Sequence, residues 1–243
     1  KHHGMGPHLH EYLCEMNTEV LSKYNVFAVG EGAGSGVDDA HDLVDEDRHE
    51  LQMVYHFEAV DMGNHINNRH TLAQFKEIHT RWEQAFAEKG WLSIFLANHD
   101  SPRMVSKFGD DRPEYRDASA KLLNTFLMTM RGTPYCYFGD ELGMTNIDFK
   151  HIDEYKDIAA INGYQKAQYE GQDMALFMNN LQMFSRDNSR TPMQWDAGEY
   201  AGFSKTKPWI PVNTNKNIVN VDAQLRDPHS VVCHFRKLTN LRA

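Results

Sequence analysis

The 243-residue chain is 41% hydrophobic and 11% aromatic, with 34 acidic against 25 basic residues and a formal charge of −9. Such a chain can build one sizeable α/β domain, or two small ones, around a real core. Its acidic balance argues against nucleic acid or an anionic membrane surface as a partner, because both call for a basic face.

The first predicted element is a helix over residues 6–24, ended by Asn25. Apolar runs follow at 26–29, 51–57, 91–97 and 133–138, each rich in the β-branched or aromatic residues that strands prefer. Between the second and third runs, Leu72, Phe75, Ile78, Trp82 and Phe86 recur at three- and four-residue steps. That spacing predicts a helix with Thr71 as N-cap and Gly90 past its end. A second helix is predicted over 114–130, with Pro113 near its start and Gly132 beyond it.

Helix and strand alternate along the chain, and the strands begin 25, 40 and 42 residues apart, which leaves room for a crossover helix each time. Alternation of this kind predicts a parallel sheet, buried on both faces where the runs are continuously apolar. The pattern fits a small doubly wound sheet or half of an eight-stranded barrel. The strand ends favour the barrel. Glu31 follows the first run, Asn98-His99-Asp100 the third and Gly139-Asp140-Glu141 the fourth. In α/β barrels the catalytic groups stand at the C-terminal ends of the strands.

Beyond Gly143 a polar, helical stretch is expected over 153–170. An irregular Gly/Pro/Asn-rich passage over 186–220 comes next, before a last amphipathic helix over 228–242. An irregular passage of that length is usually functional. Cys14, Cys136 and Cys233 are scattered and odd in number, so buried free thiols are expected rather than a disulfide framework. His2, His3, His8 and His10 cluster near the start without the ordered three or four ligands of a zinc site, and are expected to be solvated. No run approaches the ~18 apolar residues of a membrane helix, and nothing resembles a signal peptide. The chain starts on Lys1 without an initiator Met, so it is expected to be an excised piece, and its localisation stays open.

Several ordered segments resemble one known family. Phe27-Ala28-Val29-Gly30-Glu31 resembles the acid/base strand of family 13 glycoside hydrolases, the α-amylase superfamily, and Phe95-Leu96-Ala97-Asn98-His99-Asp100 resembles its Asn-His-Asp segment. Glu50-Leu51-Gln52-Met53-Val54, Pro134-Tyr135, Gly139-Asp140-Glu141-Leu142-Gly143-Met144 and Arg190-Thr191-Pro192-Met193-Gln194-Trp195 are similar to the oligo-1,6-glucosidase and α-glucosidase group. The resemblance runs from about residue 6 to the end. It implies that residues 1–243 form the C-terminal half of a (β/α)8 TIM barrel, strands five to eight with their helices. The partner it implies is the missing N-terminal half. The nucleophilic Asp, in a Gly-x-Arg-x-Asp segment that nothing in residues 1–10 matches, and the family's calcium site would precede residue 1.

The implied chemistry is retaining hydrolysis of terminal α-glucosidic bonds in gluco-oligosaccharides, with no cofactor and no metal in this chain. Such hydrolysis needs two carboxyl groups about 5 Å apart, one of them protonated. Glu31 is the candidate general acid/base, and Gly30, Gly32 and Gly34 would let backbone and substrate approach it closely. Its plainer account is a surface Glu at a strand end. Asp100 is the candidate transition-state stabiliser, with His99 and Arg186 binding the same sugar. Without the family, Asn98-His99-Asp100-Ser101-Pro102 also fits a turn or helix cap, and Arg186 an ion pair to Asp187 or elsewhere. Arg103 and Glu141 are expected to support the site from behind its substrate-contacting residues or to be structural.

Two departures bear on linkage. In the stretch resembling Asp157-Ile158-Ala159-Ala160-Ile161-Asn162, α-1,6-acting relatives carry a Glu where this chain has Ala159. The loop after Asp61 is shortened to residues 62–70, and its usual Lys is not found. Losing that polar pair points away from strict α-1,6 specificity. A sucrose isomerase or transglucosidase would share the site, although the Arg-rich segment that marks such isomerases is reduced to Arg69 here. Two further readings remain: a barrel kept for protein interaction, which Glu31, His99 and Asp100 disfavour, and an unrelated four-stranded binding domain.

Overall fold

In a computed structural model, residues 4–32 and 34–243 are described. Helix α1 (Leu9–Glu19) leads to β1 (Val29–Gly32), α2 (Val37–Val44), β2 (Met53–His56) and α3 (Glu58–Asp61). Then come α4 (Leu72–Ala85), β3 (Ser93–Ile94), α5 (Met104–Phe108), α6 (Arg116–Thr129) and β4 (Thr133–Pro134). The remainder is helical or irregular: α7 (Ile158–Tyr169), α8 (Met174–Phe184), α9 (Val221–Arg226) and α10 (Val231–Arg242).

All strand pairs are parallel. Gly30 and Glu31 of β1 lie opposite Val54 and Tyr55 of β2, and Ser93 and Ile94 of β3 opposite Thr133 and Pro134 of β4. A parallel bridge between Val54 and Leu92 links the two pairs, so the strands neighbour one another in chain order. Sequential parallel order suits a barrel wall rather than a doubly wound sheet, whose strand order reverses at a switch point.

The strands are shorter than their apolar runs. Val26 and Phe27 are exposed, and at Ala28 the pairing passes partly to a side chain: the Ala28 N–H donates to Gln52 Oε1 at 2.7 Å. Phe95, Leu96 and Ala97 are buried without joining a ladder. Helix α4 starts where expected, on a capping box in which Thr71 and Gln74 satisfy each other's backbone N–H groups. The last helix starts three residues after the predicted 228, and α8 and α9 were not anticipated.

The chain divides into two compact units. The first holds the residues up to Gly63, Asn68–Ile94 and Met130–Tyr135; the second holds Asn64–Asn67, Phe95–Thr129 and Cys136–Ala243. The first contains all four strands and a core including Leu43, Val44, Met53, Val54, Trp82 and Phe86. The second has two apolar clusters, one around Leu142, Met144 and Val232, the other around Ile147, Tyr155 and Ile210.

Not every polar expectation survives. His2 and His3 lie outside the described residues, and His10 is not simply solvated: its Nδ1 lies 2.9 Å from Oε2 of the buried Glu50. The expected burial of the thiols does not hold: Cys136 is exposed, and Cys14 and Cys233 are half-buried.

Burial in the first unit creates a pH liability. The His56 ring stacks on Trp82 at 4.1 Å, and His79 lies 4.4 Å from Phe75. Burial pushes both imidazoles down to about 4, with the His79 charge adding to the effect on His56. A folded value below the unfolded 6.5 means that the unfolded chain takes up protons first. Stability is therefore complete above pH 6.5 and declines as pH falls towards 4, by about 2 kcal/mol per histidine at pH 5. The melting temperature should fall between pH 7 and 5, and His79→Leu should flatten that dependence. An unchanged slope in the variant would exclude the histidine origin.

Candidate active site

Glu31 stands on β1 in the first unit, exposed and opposite Tyr55. The glycine at 32 is needed for the close approach of β2: a Cβ there would come within 2.7 Å of Val54 Cγ2 and 3.1 Å of the Tyr55 carbonyl oxygen, whereas one on Gly30 would meet the movable end of Leu51. Tyr55 packs edge-on against Tyr135 with centroids 4.7 Å apart. Burial raises the Tyr55 phenol above its usual range, the hydrogen bond and charge of Tyr135 add to this, and the Glu31 charge adds further. Glu31 thus shares its strand-end face with a phenol that stays neutral.

The second unit holds the other three predicted residues. The stretch 98–101 does form the turn that its composition suggests: the Asp100 N–H donates to Asn98 Oδ1 at 2.8 Å, and the Asn98 N–H to Ser101 Oγ at 2.9 Å. The turn does not consume the functional atoms, since it leaves the side chains of His99 and Asp100 62% and 46% exposed. His99 Nε2 sits 3.5 Å from Asp100 Oδ2.

Asp100 Oδ1 is met by two guanidinium groups, Arg190 Nη2 at 2.6 Å and Arg186 Nη1 at 3.4 Å. Arg190 also donates through Nε to the His99 carbonyl at 2.9 Å, which fixes its orientation. Arg186 is held from behind by a bidentate pair with Asp157, Nε to Oδ2 at 2.6 Å and Nη2 to Oδ1 at 2.8 Å. The structural partner of Arg186 is therefore Asp157 and not Asp187. Buried Asp187 instead accepts the backbone N–H groups of Lys156 and Asp157 at 2.7 and 2.9 Å, anchoring the start of α7.

Burial alone would raise the Asp157 carboxyl. The bonds from Arg186 and the Ala159 N–H, with the charges of Arg186 and Arg190, outweigh it and hold the group below the usual carboxylate range. The Arg186 guanidinium is in turn raised, first by its bond to Asp157. Two guanidinium groups orient the Asp100 carboxylate through Oδ1, while Oδ2 faces the His99 imidazole at 3.5 Å on a side chain left 46% exposed.

Motif reading missed Arg190 and Asp157 as members of this cluster. Arg190 was visible only as the first residue of the Arg-Thr-Pro motif, and Asp157 only as the residue two before Ala159. Ala159 itself is exposed and supplies a backbone N–H to Asp157 Oδ1 at 3.1 Å.

Comparisons place the chain among known proteins. The alpha amylase catalytic domain model matches residues 1–243. The chain is 46% identical to an oligo-1,6-glucosidase of Parageobacillus thermoglucosidasius, over 98% of the chain and 43% of that protein. It is 43% identical to an alpha-glucosidase of Pediococcus pentosaceus, over 98% of the chain and 44% of that protein. Among solved structures, an isomaltulose synthase mutant from Erwinia rhapontici in complex with its natural substrate sucrose superposes with a TM-score of 0.93 at 41% identity, covering 98% of the chain and 44% of that structure. The chain thus spans less than half the length of the curated relatives it matches, and its fold is that of their α/β barrel.

Proposed function

The chain belongs to the alpha-amylase catalytic-domain family, and from that premise we propose that it supplies the general acid/base and the transition-state carboxylate of a retaining α-glucosidase. Its four strands correspond to strands five to eight of the barrel. β1 and β4 each have a single strand partner among the described residues, and such open edges are where a further part of the barrel would pair. The nucleophile comes from the portion of the relatives' length that the chain does not span.

In this reading Glu31 protonates the departing glycosidic oxygen and then deprotonates the incoming water. Asp100, paired with Arg190 and Arg186, stabilises the oxocarbenium-like charge and accepts sugar hydroxyls, with His99 and Arg186 donating to the same sugar. The observation that carries the proposal is a half-exposed Asp100 carboxylate whose Oδ1 is fixed by two guanidinium groups and whose Oδ2 stands beside His99. The lone Arg69 between residues 62 and 70 favours hydrolysis over sucrose isomerisation.

The complete polypeptide should release glucose from maltose-type oligosaccharides, and proton NMR should show α-glucose as the first anomer formed, as double displacement requires. First release of β-glucose would exclude the mechanism. Residues 1–243 alone should leave an aryl α-glucoside intact and self-associate on gel filtration. A monomer that turned it over would place the nucleophile inside the chain.

A further inference from the structure

Arg103 carries five hydrogen bonds, and no solvent reaches it. It lies three residues after Asp100, at the start of α5, with its backbone N–H on Asn146 Oδ1 at 3.0 Å. Its guanidinium spreads over two separate segments. Nη1 donates to the Phe138 carbonyl at 2.6 Å and Nε to the Asn188 carbonyl at 3.2 Å. Nη2 donates to the Thr191 carbonyl at 3.4 Å and to Thr191 Oγ1 at 3.1 Å. The group also stacks over the Phe138 ring, 4.8 Å from its centroid.

The chemistry of this placement is unusual for a buried cation. Burial lowers its pKa, and the Asp140 charge only partly opposes that, with no direct Arg103–Asp140 hydrogen bond in the described contacts. Removing a guanidinium from water is costly, and most of its donors here go to neutral backbone carbonyls. Two of those carbonyls, Asn188 and Thr191, bracket Arg190. Tyr137 Oη ties the intervening Ser189 carbonyl at 3.0 Å. The segment that carries Arg186 and Arg190 is thereby registered against the segment that carries Asp100, from inside the protein. Outside, the same two segments meet through Arg190 and Asp100.

The geometry points to Arg103 as a positioning residue for the Asp100 site: it touches no substrate, and it sets where Arg190 presents its guanidinium to Asp100. This rests on the role proposed for Asp100. Only a planar fork can serve Phe138, Asn188 and Thr191 together; a lysine ammonium keeps the charge but not the fork.

The test is a double-mutant cycle in the complete polypeptide, with Arg103→Lys, Arg190→Ala and their combination, assayed on maltose well below the melting temperature. Arg103→Lys should retain its circular dichroism yet lose about 10- to 100-fold in kcat/KM, the scale of a displacement of about 1 Å in a catalytic group. In the Arg190→Ala background the further loss should shrink to less than about threefold, because the group that Arg103 positions is gone. Its effect on melting temperature should be the same in both backgrounds. Full additivity in kcat/KM, or a lower melting temperature with unchanged kcat/KM, overturns the inference and leaves Arg103 as a stabilising residue only. Asp100→Asn in the same assay reports separately on the site: full activity there would sink the role of Asp100 whatever Arg103 does.

Discussion

Glu31→Gln in the complete polypeptide is expected to lower kcat/KM on maltose-type substrates by about 10²- to 10⁴-fold, the usual contribution of a general acid. Glutamine keeps the shape of the side chain and its place opposite Tyr55 on β2, and removes only the transferable proton. The loss should depend on the leaving group. A sugar alkoxide is strongly basic and must be protonated as it departs, whereas a nitrophenolate leaves unaided. On a nitrophenyl α-glucoside, kcat/KM reports the first displacement alone, and its loss should stay within about tenfold. The later attack of water still lacks its base, so kcat should fall further than kcat/KM. Equal losses of kcat/KM on the two substrates would remove Glu31 from the acid role.

Asp100→Asn should behave differently. The exchange is isosteric and removes the negative charge that Arg190 and Arg186 surround. Charge develops on the sugar ring whatever the leaving group, so losses of about 10²- to 10³-fold in kcat/KM should appear on both substrates alike. Asparagine still accepts one hydrogen bond at Oδ1, and the side chain is half exposed, so the variant should fold. A variant that lost activity on maltose and kept it on the aryl substrate would show Asp100 acting on the leaving group instead.

Glu31 and Asp100 are proposed from short motifs at strand ends that resemble the family's, where local sequence is enough to suggest a role. The parallel alternation was legible for a similar reason: each apolar run and each helical period is local. Strand length was not. Phe95, Leu96 and Ala97 are as apolar as Ser93 and Ile94 are strand-forming, yet only the latter two pair with a neighbour. Burial and ladder pairing leave the same trace in a sequence. Helix α8 begins on Asp173, which caps two backbone N–H groups, but its apolar residues cover too much of the helix circumference to give a clean stripe.

The members of the site that escaped notice did so because their partners are distant. Arg190 meets Asp100 across 90 residues, and Asp157 meets Arg186 across 29. Nothing in the composition around Arg103 distinguishes a buried fork from an exposed arginine in a Ser-Pro-Arg turn. The same distance explains why the ion-pair partner of Arg186 stays open between Asp187 and elsewhere in the sequence: Asp187 is adjacent, but it is turned inward to two backbone N–H groups.

The central claim is that Glu31 works on the leaving-group face of a sugar held covalently on its other face, and azide reports on that face directly. Glu31→Ala in the complete polypeptide removes both the carboxylate and its charge, which opens a place for a small anion beside the anomeric carbon. Azide should then accelerate turnover of a nitrophenyl α-glucoside, since it needs no base to attack the glucosyl intermediate. Its product should be α-glucosyl azide, the retained configuration, identified by proton NMR. Formation of β-glucosyl azide would make Glu31 the nucleophile, and indifference to azide would remove it from the reaction.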